Sequence, residues 1–271
     1  STPLGKIIIK GPDTVNFLNR IYSNNWDNLP VGRGKYGFML YDDGRLLDDG
    51  VTMRLSEDQY LMSNSAGMAD VALNHLERLL HINWPDLKVY LTPVTDQWAV
   101  VCVCGPRSRE VLKQSGIDIN IDAGSFRFLE TRLCNIAGLK ARISRITYTG
   151  ELSFEIAVPT RYGLSLWNTL IASGEEFGIT PVGSDTSMLL RTEKGFVAAG
   201  LEGDGYVDLY DVGMDWLVSD QKKDFIGKRS MQRNRSTPGS RPEVIGLLPS
   251  DPKFVPPKGA PIIEYDKNSD L

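Results

Sequence analysis

Histidine is scarce in this chain: only His75 and His81 occur among its 271 residues. Both fall in or beside one predicted helix, and exposed helix surface is the simpler interpretation for either of them. A Ser-His-Asp hydrolase or a histidine-rich metal site would need at least one of these residues. The chain also has no Gly-x-Ser-x-Gly elbow and no Cys-x-x-Cys pair. The sequence therefore predicts neither a serine hydrolase nor a metal site.

Cysteine is also rare, with Cys102, Cys104 and Cys134 as its three occurrences. The number is odd, and Cys102 and Cys104 share one face of a predicted strand, so a disulfide framework is not expected. Buried free thiols in a reducing compartment are the better interpretation, and the cytoplasm is the expected location.

Long apolar runs are absent, and the longest, Trp98–Cys104, is typical of a buried strand. The net charge of −4 gives no reason to expect nucleic acid or an anionic membrane as a partner. No secretory signal is expected at the start, since residues 5–10 already have a strand-like pattern. Hydrophobic residues make up 41% of the chain, which is ordinary for a globular protein and sufficient for a sizeable core.

Strands and helices alternate along the predicted fold. Predicted strands cover residues 6–10, 36–40, 46–55, 59–62, 98–104, 139–147, 152–158 and 243–248; predicted helices cover residues 13–22, 68–81, 107–113, 162–173 and 184–194. A strand, a Gly-Pro pair and a helix follow one another at Gly11-Pro12 and again at Gly105-Pro106. This echo predicts an α+β fold of two related lobes with mixed or antiparallel sheets. The expected boundaries are 1–92 for the first lobe and 93–232 for the second. Residues 233–271 are expected to hold a polar linker and the start of a further domain.

Asp49 is the first candidate for chemistry. In the predicted strand over residues 46–55, alternate side chains point to opposite faces. One face collects Leu47, Val51, Met53 and Leu55, and Asp49 is its single carboxylate. An unpaired carboxylate on an apolar face costs several kcal/mol or gives up its charge, a cost that functional sites often carry. The alternatives are that a strand end or bulge turns Asp49 to water, or that an arginine pairs with it.

Residues 32–37 fit the dinucleotide-binding motif Gly-x-Gly-x-x-Gly, but dinucleotide binding is not predicted here. The motif requires a strand before it and a helix after it. Here Leu29-Pro30-Val31 precedes it and a strand-like segment follows. No Walker pattern occurs, so phosphate binding through a P-loop is not predicted.

Several stretches carry a family resemblance. They are residues 35–40 (KYGFML), 46–50 (LLDDG), 147–151 (TYTGE) with 154–155 (FE), and 224–228 (DFIGK). These resemble the aminomethyltransferase family, the T-protein of glycine cleavage and its relatives. Residues 4–7, 83–87, 94–99, 150–155 and 213–216 are closer to the folate-binding C-terminal region of the heterotetrameric sarcosine oxidase α subunit. The resemblance covers nearly the whole chain and keeps the order of the motifs.

The resemblance implies a tetrahydrofolate site between the two lobes, and a C-terminal β-barrel-like domain that this chain starts but truncates. On matching positions, Asp49 is the carboxylate at the folate amines and the catalytic candidate. The positions that match the folate pocket are Tyr36, Asn64, Ser65, Phe128, Tyr148 and Glu155. Glu155 falls on the glutamate that accepts hydrogen bonds from the pterin ring. Core packing is the alternative for Tyr36 and Phe128, and a half-solvated, inert position is the alternative for Glu155.

The implied function is tetrahydrofolate-dependent capture of a methylene iminium from sarcosine, which gives 5,10-methylenetetrahydrofolate and glycine. Flavins and NAD are expected on other domains or subunits of a larger oxidase complex. The alternatives are a free-standing aminomethyltransferase, a folate-dependent demethylase and a non-catalytic folate-binding module for assembly. One departure stands out: Ser187 replaces the family arginine that helps to hold folate. Arg191, Lys194 and Arg33 are the candidates to compensate.

Overall fold

The computed structural model describes residues 2–236, 243–257 and 259–261. In this part of the chain, the first lobe contains β1 Gly5–Lys10, α1 Thr14–Ile21, β2 Gly34–Leu40, β3 Leu46–Ser56, β4 Gln59–Asn64, α2 Ala69–Arg78 and β5 Tyr90–Pro93. The second lobe contains β6 Trp98–Cys104, α3 Ser108–Gln114, β7 Thr131–Ile136, β8 Leu139–Ser144, β9 Ser153–Pro159 and α4 Gly163–Gly174. Two further helices follow, α5 Ser184–Lys194 and α6 Lys228–Ser236.

The two lobes repeat one topology. The first sheet has the strand order β2-β3-β4-β1-β5, and the second has β7-β8-β9-β6 when it is followed in the same sense. All pairings are antiparallel. Gly11 and Gly105, which follow the first strand of each lobe, have φ angles of 141° and 116°, a region that favours glycine. The prediction of two related α+β lobes is confirmed.

Each sheet buries one face against its own helices. Pleating assigns alternate residues to opposite faces, so Ile7, Ile9 and Tyr60 point toward α1 and α2 in the first lobe. Phe154 and Ile156 of β9 pack with α3 and α4 in the second lobe. The other face of each sheet is turned toward the other lobe, because side chains from both sheets line a single cavity. The repeated fold thus creates the space between the lobes.

A third apolar cluster extends the first lobe. Its buried members are Phe38, Leu40, Leu46, Val197, Leu209, Val212, Leu217, Phe225 and Met231. The segment from Val197 to Met231 therefore packs against β2 and the start of β3, although it follows the second lobe in sequence. The domain boundaries at 92 and 232 stay predictions.

The structure differs from the sequence prediction at four elements. The short edge strands β5 and β7 were not predicted, because Tyr90–Pro93 contains a proline and Thr131–Ile136 mixes polar and apolar residues without clean alternation. The strand predicted over residues 243–248 was wrong, since these residues are irregular and exposed. Helix α6 enters the predicted linker. Within the described residues no barrel is present; residues 237–242, 258 and 262–271 lie outside them.

No helix in the described ranges is long and apolar enough to cross a membrane. Cytoplasmic location stays a prediction.

Replacement of Gly50 by alanine is expected to disrupt the first sheet. A Cβ at Gly50 would lie 1.9 Å from the backbone oxygen of Ser63 on β4. Backbone must therefore move, and we expect the free energy of unfolding to fall by about 3 kcal/mol or more in urea titration. Gly67→Ala is the matched control, because nothing lies within 4 Å of its added Cβ, and a change within about 0.5 kcal/mol is expected. Equal stability of the two variants would contradict the described β3–β4 register.

Candidate active site between the two sheets

Asp49 lies on the face of β3 that is turned toward the second lobe. In the β2–β3 register Phe38 is opposite Asp49 and Tyr36 is opposite Val51, so all four side chains share this face. The Tyr36 hydroxyl donates a hydrogen bond of 2.6 Å to Oδ2 of Asp49. The alternatives from sequence are thereby resolved: the register shift of this pair lies between Met39 and Leu40, and a tyrosine, not an arginine, pairs with Asp49.

Burial raises the pKa of Asp49 to about 7. The hydrogen bond from Tyr36 opposes this shift, the charge of Asp48 adds to it, and a hydrogen bond from the backbone of Ala199 again lowers the value. The pKa of Tyr36 is raised, first by burial and then by the charge of Asp49, so Tyr36 keeps its proton and acts as the donor. A carboxyl group with a pKa near neutrality can accept and release a proton at physiological pH.

The more polar face of β3 is the one covered by the first lobe's own core. Asp48, placed on the more polar face, is only 1% exposed. Its carboxylate accepts hydrogen bonds from Asn64 Nδ2 at 3.1 Å and from the Ser65 backbone N–H at 3.2 Å. Thr52 on the same face lies 3.1 Å from the hydroxyl of buried Tyr22. The polar side chains on this face are buried because they are hydrogen-bonded to other polar groups. Their burial cannot be predicted from the apolar pattern of the strand.

Asn64 and Ser65 surround Asp48 in the structure. The Asn64 side chain is buried, and its Oδ1 has no hydrogen-bond partner among the described residues. Both residues therefore bind the carboxylate of Asp48, and neither binds that of Asp49. Their contact with a ligand stays a prediction.

A cavity of about 230 Å³ lies between the two sheets. Its apolar walls include Ile8, Val51, Met53, Leu61, Val100 and Ala157, and its polar lining includes Lys6, Arg142, Ser144 and Glu155. Asp49 is two residues from Val51 on the same strand face, about 7 Å along the strand. The Tyr36–Asp49 pair therefore stands beside one end of the cavity, while Glu155 lies on the opposite sheet.

Glu155 lies in β9, opposite Cys102 on β6 and Ser144 on β8. Its charge acts on Lys6 of the first lobe: burial lowers the pKa of Lys6, and the carboxylate of Glu155 partly opposes that effect. The cavity therefore contains an acidic and a basic group from different lobes. Lys6 and Arg142 were missed from sequence, although the alternation of Lys6 with Ile7 and Ile9 could have assigned Lys6 to the inter-lobe face.

Tyr148 and Phe128 are both exposed, but only Tyr148 lies within electrostatic reach of Asp49. The pKa of Tyr148 is raised mainly by burial, lowered by the charge of Arg191 and raised by that of Asp49, which places the three groups within electrostatic reach. The Tyr148 hydroxyl donates to Met188 Sδ at 3.2 Å. Phe128 is 50% exposed. Of the predicted site residues, Glu155 lines the cavity, whereas Tyr36, Asp49, Tyr148 and Phe128 do not. The structure thus brings together Asp49, Tyr36 and Tyr148, and it leaves Phe128 at the surface.

A partly buried ion pair supports the loop beside Asp49. Arg191 is 4% exposed, and its Nη1 donates hydrogen bonds to Glu202 Oε2 at 2.7 Å and to the backbone oxygen of Phe196 at 2.9 Å. Glu202 also accepts the backbone N–H of Ala198 at 3.1 Å. These bonds fix the loop that presents Ala199 to Asp49. Arg191 is therefore engaged by Glu202, which makes it a poor substitute for the family arginine at Ser187.

A family model described as "GCVT N-terminal domain" matches residues 1–222. The chain belongs to this family. It is 43% identical over 267 residues to sarcosine oxidase subunit alpha of Corynebacterium sp. (strain U-96), covering 98% of this chain and 28% of the relative. It is 29% identical to an aminomethyltransferase of Chloroherpeton thalassium, covering 84% of this chain and 61% of the relative.

Similarity to a solved structure supports the fold. The glycine cleavage system aminomethyltransferase T from Bartonella henselae matches with a TM-score of 0.74 at 22% identity, covering 86% of this chain and 61% of that one. The GCVT family fold therefore accounts for the two lobes. The chain spans about a quarter of the length of its sarcosine oxidase relative.

Proposed function

We propose that this GCVT-family chain is a tetrahydrofolate-dependent one-carbon transfer module of a sarcosine oxidase-like enzyme. It would capture a methylene iminium and yield 5,10-methylenetetrahydrofolate and glycine. The observation that carries the proposal is the Tyr36–Asp49 pair, with a hydrogen bond of 2.6 Å and a carboxyl pKa of about 7, at the end of the inter-lobe cavity. The 43% identity to a sarcosine oxidase α subunit supports it.

The cavity fits the ring system of a reduced pterin. A flat heterocycle needs apolar walls, which Val51, Met53 and Leu61 supply. The edge of a pterin that carries N–H donors needs an acceptor of two hydrogen bonds, and the Glu155 carboxylate provides one. A space of about 230 Å³ suits the ring rather than the whole folate molecule.

Bound tetrahydrofolate would supply the nucleophilic amines that take up the one-carbon unit. Asp49 would accept a proton from the attacking amine, since its raised pKa makes it a stronger base than an exposed aspartate, and would pass it to the glycine nitrogen as the bond from that nitrogen to the transferred carbon breaks. Tyr36 would hold the carboxylate in one orientation through its donated hydrogen bond. The second lobe would exclude water from the acceptor site, because hydrolysis would otherwise destroy an iminium.

The activity of the larger enzyme is also a proposal. The relative's name, subunit alpha, says that it is part of an assembly, and we infer that this module works beside flavin-containing domains or subunits. A flavin there would oxidise the N-methyl group, and NAD would bind elsewhere as well. Nucleic acid and membranes are not expected partners.

A free-standing aminomethyltransferase is the second candidate, favoured by the 29% identity to the Chloroherpeton protein. The two functions differ in the methylene donor. The full chain with tetrahydrofolate should form methylenetetrahydrofolate faster than the protein-free background when sarcosine is oxidised by a flavin oxidase in the same mixture. A rate increase only with an aminomethyl-lipoyl donor would overturn the sarcosine proposal in favour of the second candidate.

Glu155→Gln is expected to weaken tetrahydrofolate binding about 10- to 100-fold. The carboxylate offers two acceptor oxygens, whereas the amide offers one and places its N–H₂ group against the N–H donors of the ring. This change should cost about 1.5–3 kcal/mol of binding free energy. Isothermal calorimetry measures the change. Glu151→Gln is the matched control, because Glu151 is exposed outside the cavity, and it should bind like the parent. Equal affinity of parent and Glu155→Gln would remove Glu155 from the site.

A further inference from the structure

Two thiols continue the inter-lobe face of β6. Trp98 and Val100 line the cavity, and Cys102 and Cys104 occupy the next positions of the same alternation. Cys102 is directly opposite Glu155 in the β6–β9 register. The thiol pair therefore borders the cavity that the proposed function uses, at a point to which that function assigns no role.

The pair is accessible, contrary to the expectation of buried thiols. Cys102 is exposed and Cys104 is partly exposed, whereas Cys134 is buried, as expected. The sulfur of Cys102 lies 3.1 Å from the hydroxyl oxygen of Ser153. The three cysteines thus divide into a reachable pair and a protected single thiol.

The two thiols share one proton-donor network. Hydrogen bonds from Cys102 and Thr149 lower the pKa of Cys104 to about 6, while burial and the charge of Glu151 oppose the shift. The pKa of Cys102 is raised, because its proton is engaged in the bond to Cys104. At neutral pH the pair therefore holds one thiolate nucleophile and one thiol that can release a proton.

A direct disulfide fits this pair poorly. Two residues along a strand are about 6.7 Å apart, at the upper limit of the usual Cα–Cα range for disulfides of about 4.4–6.8 Å. Closing an S–S bond would require β6 to bend away from β9, with which it pairs along its whole length. A bridge with one additional atom between the sulfurs relieves this demand.

We propose that Cys102 and Cys104 form a capture site for formaldehyde, the hydrolysis product of a methylene iminium. The Cys104 thiolate adds to the carbonyl carbon, and the oxygen takes up a proton to give an S-hydroxymethyl group. The Cys102 sulfur then attacks the same carbon, forming the second C–S bond as the C–O bond breaks. Its proton leaves with the hydroxyl as water. The product is an S–CH₂–S bridge, and no oxidant or reductant is required.

The capture site would retain a carbon unit that escapes as formaldehyde beside the folate site. This role rests on the proposed function, but the chemistry of capture does not require folate. Loss of the hydroxyl proton reverses the first step and returns formaldehyde to the cavity, whereas the bridged product resists hydrolysis. The S-hydroxymethyl form would therefore act as a local reservoir, and the S–CH₂–S bridge would retain the carbon.

The experiment exposes the folded full chain to ¹³C-formaldehyde without folate. Peptide mass spectrometry should find one added carbon, the net of formaldehyde minus water, on a peptide that contains both Cys102 and Cys104. Carbon NMR should show a carbon bonded to two sulfurs, and a thiol reagent should lose its reaction with both residues. Cys134→Ser should behave as the parent, while Cys102→Ser and Cys104→Ser should each lose the bridged signal.

The same measurement can overturn the proposal. The proposal would be refuted if the folded parent formed no bridged adduct. It would also be refuted if the Cys102→Ser/Cys104→Ser double variant formed an equal amount of adduct, because the added carbon would then lie on amines. Circular dichroism of each variant establishes that the comparison is between folded proteins. Asp49→Asn should retain capture, because capture does not use Asp49. If the parent transfers the carbon to folate but forms no bridge, only the thiol site is refuted. If the parent forms the bridge but transfers no carbon to folate, only the proposed function is refuted.

Discussion

Asp49→Asn should lower the turnover number for methylene transfer to tetrahydrofolate about 10²- to 10⁴-fold, the range expected for loss of a positioned general base. Asparagine keeps the size of the side chain and can still accept the hydrogen bond from Tyr36, but it cannot take a proton. The KM for tetrahydrofolate should change by less than about threefold, because ring binding is assigned to the cavity walls and Glu155. Initial rates above the protein-free background, at saturating folate, measure the effect.

Asp43→Asn is the matched control for this loss. Asp43 is an exposed carboxylate in the β2–β3 turn, remote from the cavity, and its replacement should leave the rate unchanged. A parent rate in Asp49→Asn would eliminate the catalytic role and favour a non-catalytic folate-binding module. If calorimetry also showed no folate binding by the parent chain, that alternative would fall as well.

The parent enzyme should also lose turnover as the pH falls through about 7. The basic form of Asp49 is the active one, and its pKa of about 7 places the acidic limb of the profile there. An exposed aspartate would place that limb near pH 4. A rate that stays flat down to pH 5 would contradict the assigned pKa.

The repeat and most elements could be predicted because their signals are local. The boundaries of Trp98–Cys104 and of α5 are as predicted, because the apolar run of the first and the helical periodicity of the second lie within the segments themselves. The edge strand Thr131–Ile136 could not be found that way, because it is specified by its pairing with β8. Likewise, the packing of residues 197–231 on the first lobe depends on contacts with Phe38 and Leu46, which are distant in sequence.

The site shows the same division. Asp49 was found from alternation along one strand, but alternation alone does not say what covers its face, which is turned toward the second lobe. The pairing of Asp48 with Asn64 and the support of Ala199 by Arg191 and Glu202 join residues that no motif connects. Such partners become predictable only when two chain segments are already placed in space.

Asp49→Asn should stabilise the folded protein at pH 8 by about 2–3 kcal/mol. The pKa of Asp49 is raised from 3.8 to about 7, so folding disfavours its ionised form. Below pH 4 the carboxyl is protonated in both states and contributes no penalty. Between pH 4 and 7 the unfolded chain gives up this proton while the folded chain keeps it, and the free energy of unfolding falls. Above pH 7 the penalty is complete.

The size of this gain follows from the shift. Each pKa unit corresponds to about 1.4 kcal/mol, which sets a ceiling near 4 kcal/mol, and partial solvent access to Asp49 reduces it. Near pH 4.5 the gain should be about 1 kcal/mol or less. Urea titrations of parent and variant at both pH values measure the difference, with Asp43→Asn as the control that should show none. A variant less stable than the parent at pH 8 would mean that Tyr36 and Ala199 satisfy the carboxylate fully, and the raised pKa on which the general-base role depends would be refuted.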